Sequence, residues 1–118
     1  MPKIGVVLFA DIETHADMGR ATNALSTVKE CKQAGDEVTL IFDGAGTRWL
    51  PELLSDEHRL HRAYMAVADR SAGACRFCAV AFGVKDQLEK AGIPLLDDFE
   101  GHPSIRGLVA DGYQVITF

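Results

Sequence analysis

Three short segments of the chain are almost entirely apolar and rich in β-branched residues. They run from Lys3 to Phe9, from Glu37 to Phe42 and from Tyr113 to Phe118. Strands with apolar side chains on both faces are typical of parallel sheets, which helices cover on both sides. The pattern therefore predicts three buried strands, and weaker signals predict two more at Ala72 to Cys75 and Ile93 to Asp97.

Helical periodicity separates these strands. The first helix carries apolar residues at intervals of three and four, with Asp17 as a possible cap and Gly35 at its end. Its inward positions are Met18, Ala21, Leu25, Val28 and Cys31. Similar but shorter patterns predict further helices at Arg48 to Leu54, Asp56 to Arg70, Ala79 to Ala91 and His102 to Ala110.

The alternation of strands and helices predicts the fold class. We expect a three-layer α/β/α sandwich with a mostly parallel sheet of about five strands. A length of 118 residues with 47% hydrophobic residues suits one domain over 1–118. In such folds the functional groups gather at the carboxyl ends of the strands.

Two cysteines spaced as Cys-x-x-Cys stand where the third strand should meet a helix. Cys75 and Cys78 are therefore the predicted catalytic residues, since a helix start favours thiolate over thiol. Cys78 is the preferred nucleophile, and Cys75 is either a resolving thiol or a packed one. A reversible disulfide between them is geometrically credible. Cys31 lies on the inward stripe of the first helix and is assigned to the core.

Other polar residues follow the predicted strands and are possible supporting groups. Asp11 and Asp43 stand at strand ends, where they either bind backbone N–H groups or act as a base. His15 and His102 could supply a cation or shuttle a proton, and Arg76 could favour thiolate. The loop from Asp43 to Thr47 lacks the full phosphate-binding pattern and is interpreted as a turn. Trp49 is expected to contact another subunit.

Composition narrows the partners. The chain has 12 Lys and Arg against 17 Asp and Glu, a formal charge of -5 and no basic run, which argues against nucleic acid. Its first apolar segment is too short for a membrane span and lacks a cleavage-site pattern. We therefore expect a cytoplasmic protein that does not bind a membrane. In a reducing compartment the cysteine pair indicates redox, sulfur-transfer or metal chemistry.

The ordered set of segments resembles the DsrE/DsrF-like family of small sulfur-relay proteins. The resemblance covers nearly the whole chain: KIGVVLFAD, IFDGAG, the cysteine turn CRFCAVAFG, a helix ending in AGI, and HPSIRGLVADGYQVITF. It implies a parallel five-stranded α/β/α fold and a homo-oligomer, either a trimer or a hexamer. It also implies that Cys78 carries sulfur as a persulfide between a donor and an acceptor protein. Cys75 is an extra thiol relative to the best-known sulfur carriers.

Two alternatives stay open beside the sulfur relay, which needs no cofactor or metal. The first is a thiol-disulfide redox protein that uses Cys75 and Cys78, although the turn proline of thioredoxins is missing. The second is a non-catalytic binding module, or a metal site formed by the two cysteines with His15 or His102. A single Cys-x-x-Cys without a second pair is a weak metal signal.

Overall fold

The computed structural model describes residues 1–118 and contains one five-stranded sheet in which all neighbouring strands are parallel. The strand order is β4-β3-β2-β1-β5. The strands are β1 (Lys3–Leu8), β2 (Glu37–Phe42), β3 (Ser71–Cys75), β4 (Leu95–Leu96) and β5 (Gln114–Thr117). With helices on both faces, this is the three-layer α/β/α sandwich that the alternating pattern predicts.

Six helices connect these strands. They are α1 (His15–Ala34), α2 (Trp49–Leu54), α3 (His61–Met65), α4 (Arg76–Ala81), α5 (Lys85–Lys90) and α6 (Ile105–Ala110). Short 3₁₀ turns at Gly44–Arg48 and Ala68–Arg70 precede α2 and β3. No helix is both long and apolar enough to cross a membrane.

The main hydrophobic core lies on one face of the sheet. Alternate side chains of β1 and β2 face α1, α2 and α3, among them Val6, Leu8, Leu40 and Phe42, all fully buried. Val7 is also buried but lies outside that cluster, as expected for the opposite face of a strand. On that opposite face α6 approaches β1 at Gly5, where an added Cβ would lie 3.4 Å from Leu108.

The first helix begins earlier than the sequence predicts. Thr14, not Asp17, is its N-cap: the Thr14 hydroxyl accepts a hydrogen bond from the Asp17 amide at 3.0 Å. The Asp17 carboxylate accepts one in return from the Thr14 amide at 3.2 Å. Asp17 is therefore the third helical residue of a capping box. The predicted end at Gly35 is confirmed, with a left-handed φ of 82°.

Two other helix predictions need correction. The segment from Asp56 to Arg70 is not one helix, because only His61–Met65 is α-helical and a 3₁₀ turn follows. The helix after the cysteine turn begins at Arg76 instead of Ala79, and Gly83 separates it from α5 with a φ of 73°. The earlier start places Cys78 inside the first turn of α4.

The prediction that Trp49 lies at a subunit contact is contradicted by its burial. Its side chain is 1% exposed and its indole Nε1 donates to the carbonyl oxygens of Ala10 and Asp11, both at 3.0 Å. A buried indole needs such a partner for its N–H group. Trp49 therefore fastens α2 to the end of β1 within the chain.

Candidate thiol site

Four side chains with nucleophilic or metal-binding atoms meet at the carboxyl edge of the sheet. They belong to Asp43, Cys75, Cys78 and His102, and one such atom from each lies within 4.8 Å of all the others. Asp43 directly follows β2, Cys75 ends β3, and Cys78 stands in the first turn of α4. Because β2 and β3 are neighbours and parallel, their ends bring these residues together.

Cys75 is the buried member of the cysteine pair. Its side chain is fully buried, and its sulfur accepts a hydrogen bond from the Cys78 amide at 3.4 Å as the N-cap of α4. Burial raises the pKa of the Cys75 thiol to about 12, although the Cys78 amide acts in the opposite direction. Cys75 is therefore a thiol at neutral pH.

Cys78 is the accessible member of the pair. It is half-buried and lines an open cavity of about 770 Å³. Its thiol donates a hydrogen bond to Asp43 Oδ1 at 3.6 Å. Its hydrogen-bond partner is thus a carboxylate, which accepts a proton and does not stabilise an anion, while His102, one of the predicted cations, lies within 4.8 Å.

Asp43 joins the loop after β2 to the cysteines. It is 8% exposed, and its Oδ1 also accepts a hydrogen bond from the Gly44 amide at 2.8 Å. The glycine-rich segment after it is a 3₁₀ turn, as the turn interpretation predicts. Gly46 is needed for close approach, since an added Cβ would lie 1.9 Å from the Leu8 carbonyl oxygen. This contact holds Asp43 against the end of β1.

His102 reaches the site from a tight turn between β4 and α6. Phe99 and His102 exchange two backbone hydrogen bonds of 2.8 Å, and the two central residues, Glu100 and Gly101, have φ of 50° and 84°. Positive φ at both positions defines a type I′ turn. His102 Nδ1 lies 3.3 Å from Cys75 Sγ, and its ring packs against Phe77 at 4.8 Å between centroids.

The cavity beside Cys78 has apolar walls and one cationic side chain. Its lining includes the exposed aromatic rings of Phe9 and Phe99 and the side chain of Arg106. Arg106 is not among the residues that the sequence points to, because it follows the helix start at Ser104 and resembles an ordinary surface arginine. It gives the cavity a group that attracts anions.

Three of the predicted supporting residues lie outside the four-residue cluster. Asp11 forms an ion pair of 2.8 Å with Arg48, which also pairs with Glu13 at 3.0 Å. His15 is the exposed first residue of α1. The remaining residue, Arg76, is exposed and lines a separate apolar groove with Phe77 and Val80. Asp43 and His102 are the predicted supporting groups that the fold brings to the thiols.

Cys31 packs against the hydrophobic core, as its inward position on α1 predicts. It is half-buried, and burial is the main reason that its thiol pKa is raised. Cys31 lies outside the cluster, so its substitution provides a matched control for changes at the other two cysteines.

The chain is similar to a protein of the archaeon Methanocaldococcus jannaschii that bears the name Uncharacterized protein MJ0733. The two are 30% identical over 115 residues, which cover 97% of this chain and 93% of the relative. The chain belongs to the family of MJ0733. No protein-family model matches it.

A solved structure shares the fold of the present chain. It is that of the conserved protein of unknown function BT1422 from Bacteroides thetaiotaomicron, with a TM-score of 0.65. The alignment covers 97% of this chain and 94% of that chain, at 13% identity. That likeness concerns the fold alone, and the resemblance to the DsrE/DsrF-like family stays a prediction.

Proposed function

We propose that this protein relays sulfur, with Cys78 as the residue that carries it as a persulfide. The observation that supports this role most directly is the difference in accessibility between the two cysteines. Cys78 opens onto the 770 Å³ cavity, whereas Cys75 lies fully buried behind it. A sulfur that must meet a donor and then an acceptor has to be reachable from outside.

The loading step conserves atoms and electrons. The Cys78 sulfur attacks the outer sulfur of a donor persulfide, a new S–S bond forms, the S–S bond of the donor breaks, and the donor leaves as a thiol. Asp43 Oδ1, 3.6 Å from the Cys78 sulfur, accepts the thiol proton during the attack. The departing donor thiolate then takes up that proton.

Sulfur leaves the protein by one of two routes. An acceptor thiolate attacks the outer sulfur of the Cys78 persulfide and regenerates the Cys78 thiol. Alternatively the Cys75 sulfur, within 4.8 Å, attacks Cys78 Sγ, which forms the disulfide and releases the outer sulfur as hydrogen sulfide. His102 Nδ1 is 3.3 Å from Cys75 Sγ and accepts its proton in that route. A dithiol reductant must then restore the pair.

Mass spectrometry tests the loading step directly. Reduced, metal-free protein is incubated with glutathione persulfide and weighed intact. Wild type and Cys31→Ser should each gain one sulfur atom, and Cys78→Ser should gain none. Trypsin cleaves after Arg76, so Cys75 and Cys78 fall in separate peptides and the extra sulfur can be located. An equal gain in wild type and Cys78→Ser would refute the proposal.

A thiol-disulfide redox role is the second candidate, and the proximity of the two sulfur atoms favours it. They lie within 4.8 Å of each other, against a bond length of about 2.05 Å in a disulfide. The reduction potential of the pair separates the candidates. A pair that stays reduced under mild oxidation by oxidised glutathione does not act as a redox couple.

We further propose that the protein works as a homo-oligomer and in the cytoplasm. Several apolar side chains near the site are exposed, among them Phe77 at 57%, Val80 at 59% and Phe99 at 63%. Exposed patches of this kind favour a homo-oligomer, for which the family resemblance suggests a trimer or hexamer. The sulfur donor and acceptor are proposed to be proteins of the reducing cytoplasm, where the cysteines stay thiols. Light scattering that reports a monomer would contradict the assembly.

A further inference from the structure

We infer that the same cluster is a zinc-binding site, with Cys75 Sγ, Cys78 Sγ, His102 Nδ1 and an Asp43 carboxylate oxygen as the four ligands. This site goes beyond the sulfur relay and does not depend on it. The ligand types are those that zinc selects, since thiolate, imidazole and carboxylate all occur in tetrahedral zinc sites. No other group of this kind forms on the chain.

The spacing of the four atoms is close to that of a tetrahedral site. Zinc bonds of about 2.0 to 2.3 Å place neighbouring ligand atoms roughly 3.3 to 3.8 Å apart. The separation between His102 Nδ1 and Cys75 Sγ is 3.3 Å, and that between Cys78 Sγ and Asp43 Oδ1 is 3.6 Å. All remaining separations are within 4.8 Å, so a contraction of about 1 Å completes the site.

Second contacts already orient the ligands. The Cys78 amide donates to Cys75 Sγ at 3.4 Å, the kind of hydrogen bond that supports a metal-bound thiolate. The Gly44 amide donates a hydrogen bond to the Asp43 carboxylate at 2.8 Å and so orients that ligand. The type I′ turn and the ring of Phe77 fix the position of His102. Three of the four ligands are therefore held in place by contacts that do not involve the metal.

Burial and charge favour a metal that stays partly accessible. Asp43 and Cys75 are buried, whereas Cys78 and His102 face the open cavity. Zinc displaces the thiol protons of Cys75 and Cys78 into solvent on binding. Two thiolates and a carboxylate then leave the site with a net charge of -1, which the Arg106 side chain in the same cavity offsets in part.

A bound zinc ion would hold the Cys78 sulfur and compete with sulfur loading, a consequence that does rest on the proposed relay. The two ideas fail separately. Sulfur loading is measured on metal-free protein, and metal binding is measured on protein without any persulfide.

Cobalt(II) titration tests the zinc site, because cobalt reports ligand type and geometry by its absorption spectrum. The untagged, reduced protein should bind one cobalt ion per chain, with thiolate-to-cobalt charge-transfer bands and the strong visible bands of a tetrahedral centre. Zinc should displace it. Cys31→Ser should give the same spectrum, Cys75→Ser and Cys78→Ser should each lose about half of the charge-transfer intensity, and His102→Ala should bind at least tenfold more weakly.

The emission of the single buried Trp49 verifies that each variant is folded. Charge-transfer bands that are absent from wild type, or that vanish in Cys31→Ser, would overturn the site. So would a folded His102→Ala variant that binds cobalt as tightly as wild type, because the metal would then lie elsewhere. Zinc content of the untagged protein as purified gives a second readout, with one ion per chain expected after purification in zinc-containing buffer.

Discussion

The backbone amide of Cys78 donates a hydrogen bond to the sulfur of Cys75 at 3.4 Å, so one cysteine caps the helix that carries the other. The Cys-x-x-Cys spacing makes this contact possible, since the side chain of an N-cap residue reaches the amide three positions later. The contact sets the positions of the pair. Cys75 is held inside, with its sulfur beside the Cys78 amide and the His102 ring, and Cys78 is turned towards the cavity.

The first prediction concerns the order in which the cysteines are alkylated. Iodoacetamide at neutral pH should modify Cys78 roughly tenfold faster than Cys75, because Cys78 is half-buried while Cys75 is fully buried with a pKa raised to about 12. Peptide mapping after tryptic digestion resolves both sites. Equal rates in the native protein would contradict the assignment, and denatured protein, where both should react alike, is the control.

The second prediction follows from the raised pKa of Cys75. Its ordinary value is 9.0 and its folded value is about 12, so the unfolded thiol loses its proton first as the pH rises. The protonated Cys75 thiol therefore favours the folded state, and this contribution to the free energy of unfolding is complete below pH 9. It is lost between pH 9 and 12, by at most about 1.4 kcal/mol per pH unit. Denaturant unfolding in the presence of EDTA should therefore show a steeper decline for wild type than for Cys75→Ala. Parallel declines would mean that Cys75 ionises as easily in the fold as outside it.

The third prediction tests the close packing that positions Asp43. Gly46→Ala would place a Cβ 1.9 Å from the Leu8 carbonyl oxygen and 2.7 Å from its carbon, so backbone must move. We expect a loss of roughly 2 kcal/mol or more in the free energy of unfolding, together with altered reactivity of Cys78. Gly19→Ala is the matched control. Gly19 lies exposed in α1 with nothing within 4 Å of an added Cβ, so that change should stabilise by about 0.5 to 1 kcal/mol.

The sequence predicts β1 and β2 well because both are near-continuous apolar runs, whereas β5, at the edge of the sheet, is mostly exposed instead of buried. The apolar runs of β1 and β2 and the helix that ends at Gly35 are all found where expected. The pattern fails from Asp56 to Arg70. The apolar and charged residues there have helical spacing, but the chain forms turns before His61 and a 3₁₀ turn after Met65. The sequence does not predict the start of α4 at Arg76, because its N-cap is Cys75 and cysteine is not one of the usual capping residues.

The site could be predicted only in part. Strand order brings Asp43 next to Cys75 and Cys78, and the rule that parallel strands end at one edge anticipates this. His102 is 27 residues away from Cys75 in the chain, and its approach depends on a turn at Glu100 and Gly101 that leaves no Asn-Gly signal. Trp49 is misjudged because its carbonyl partners at Ala10 and Asp11 belong to a distant loop.

The last prediction concerns the turn that delivers His102. Glu100 is the only residue other than glycine with a positive φ, at 50°, and an ordinary side chain there costs about 1 to 2 kcal/mol. Asparagine tolerates this conformation, and Asn-Gly is the preferred pair of a type I′ turn. Glu100→Asn should therefore raise the free energy of unfolding by up to about 1 kcal/mol and the melting temperature by a few degrees. Glu100 is exposed and is not one of the four residues of the thiol cluster, so the substitution removes no group from the site. Glu100→Val is the opposing control, because a β-branched residue resists positive φ and should destabilise the fold. Equal melting temperatures for the Asn and Val variants would mean that the turn does not hold this geometry, and His102 would then lose its fixed position beside Cys75.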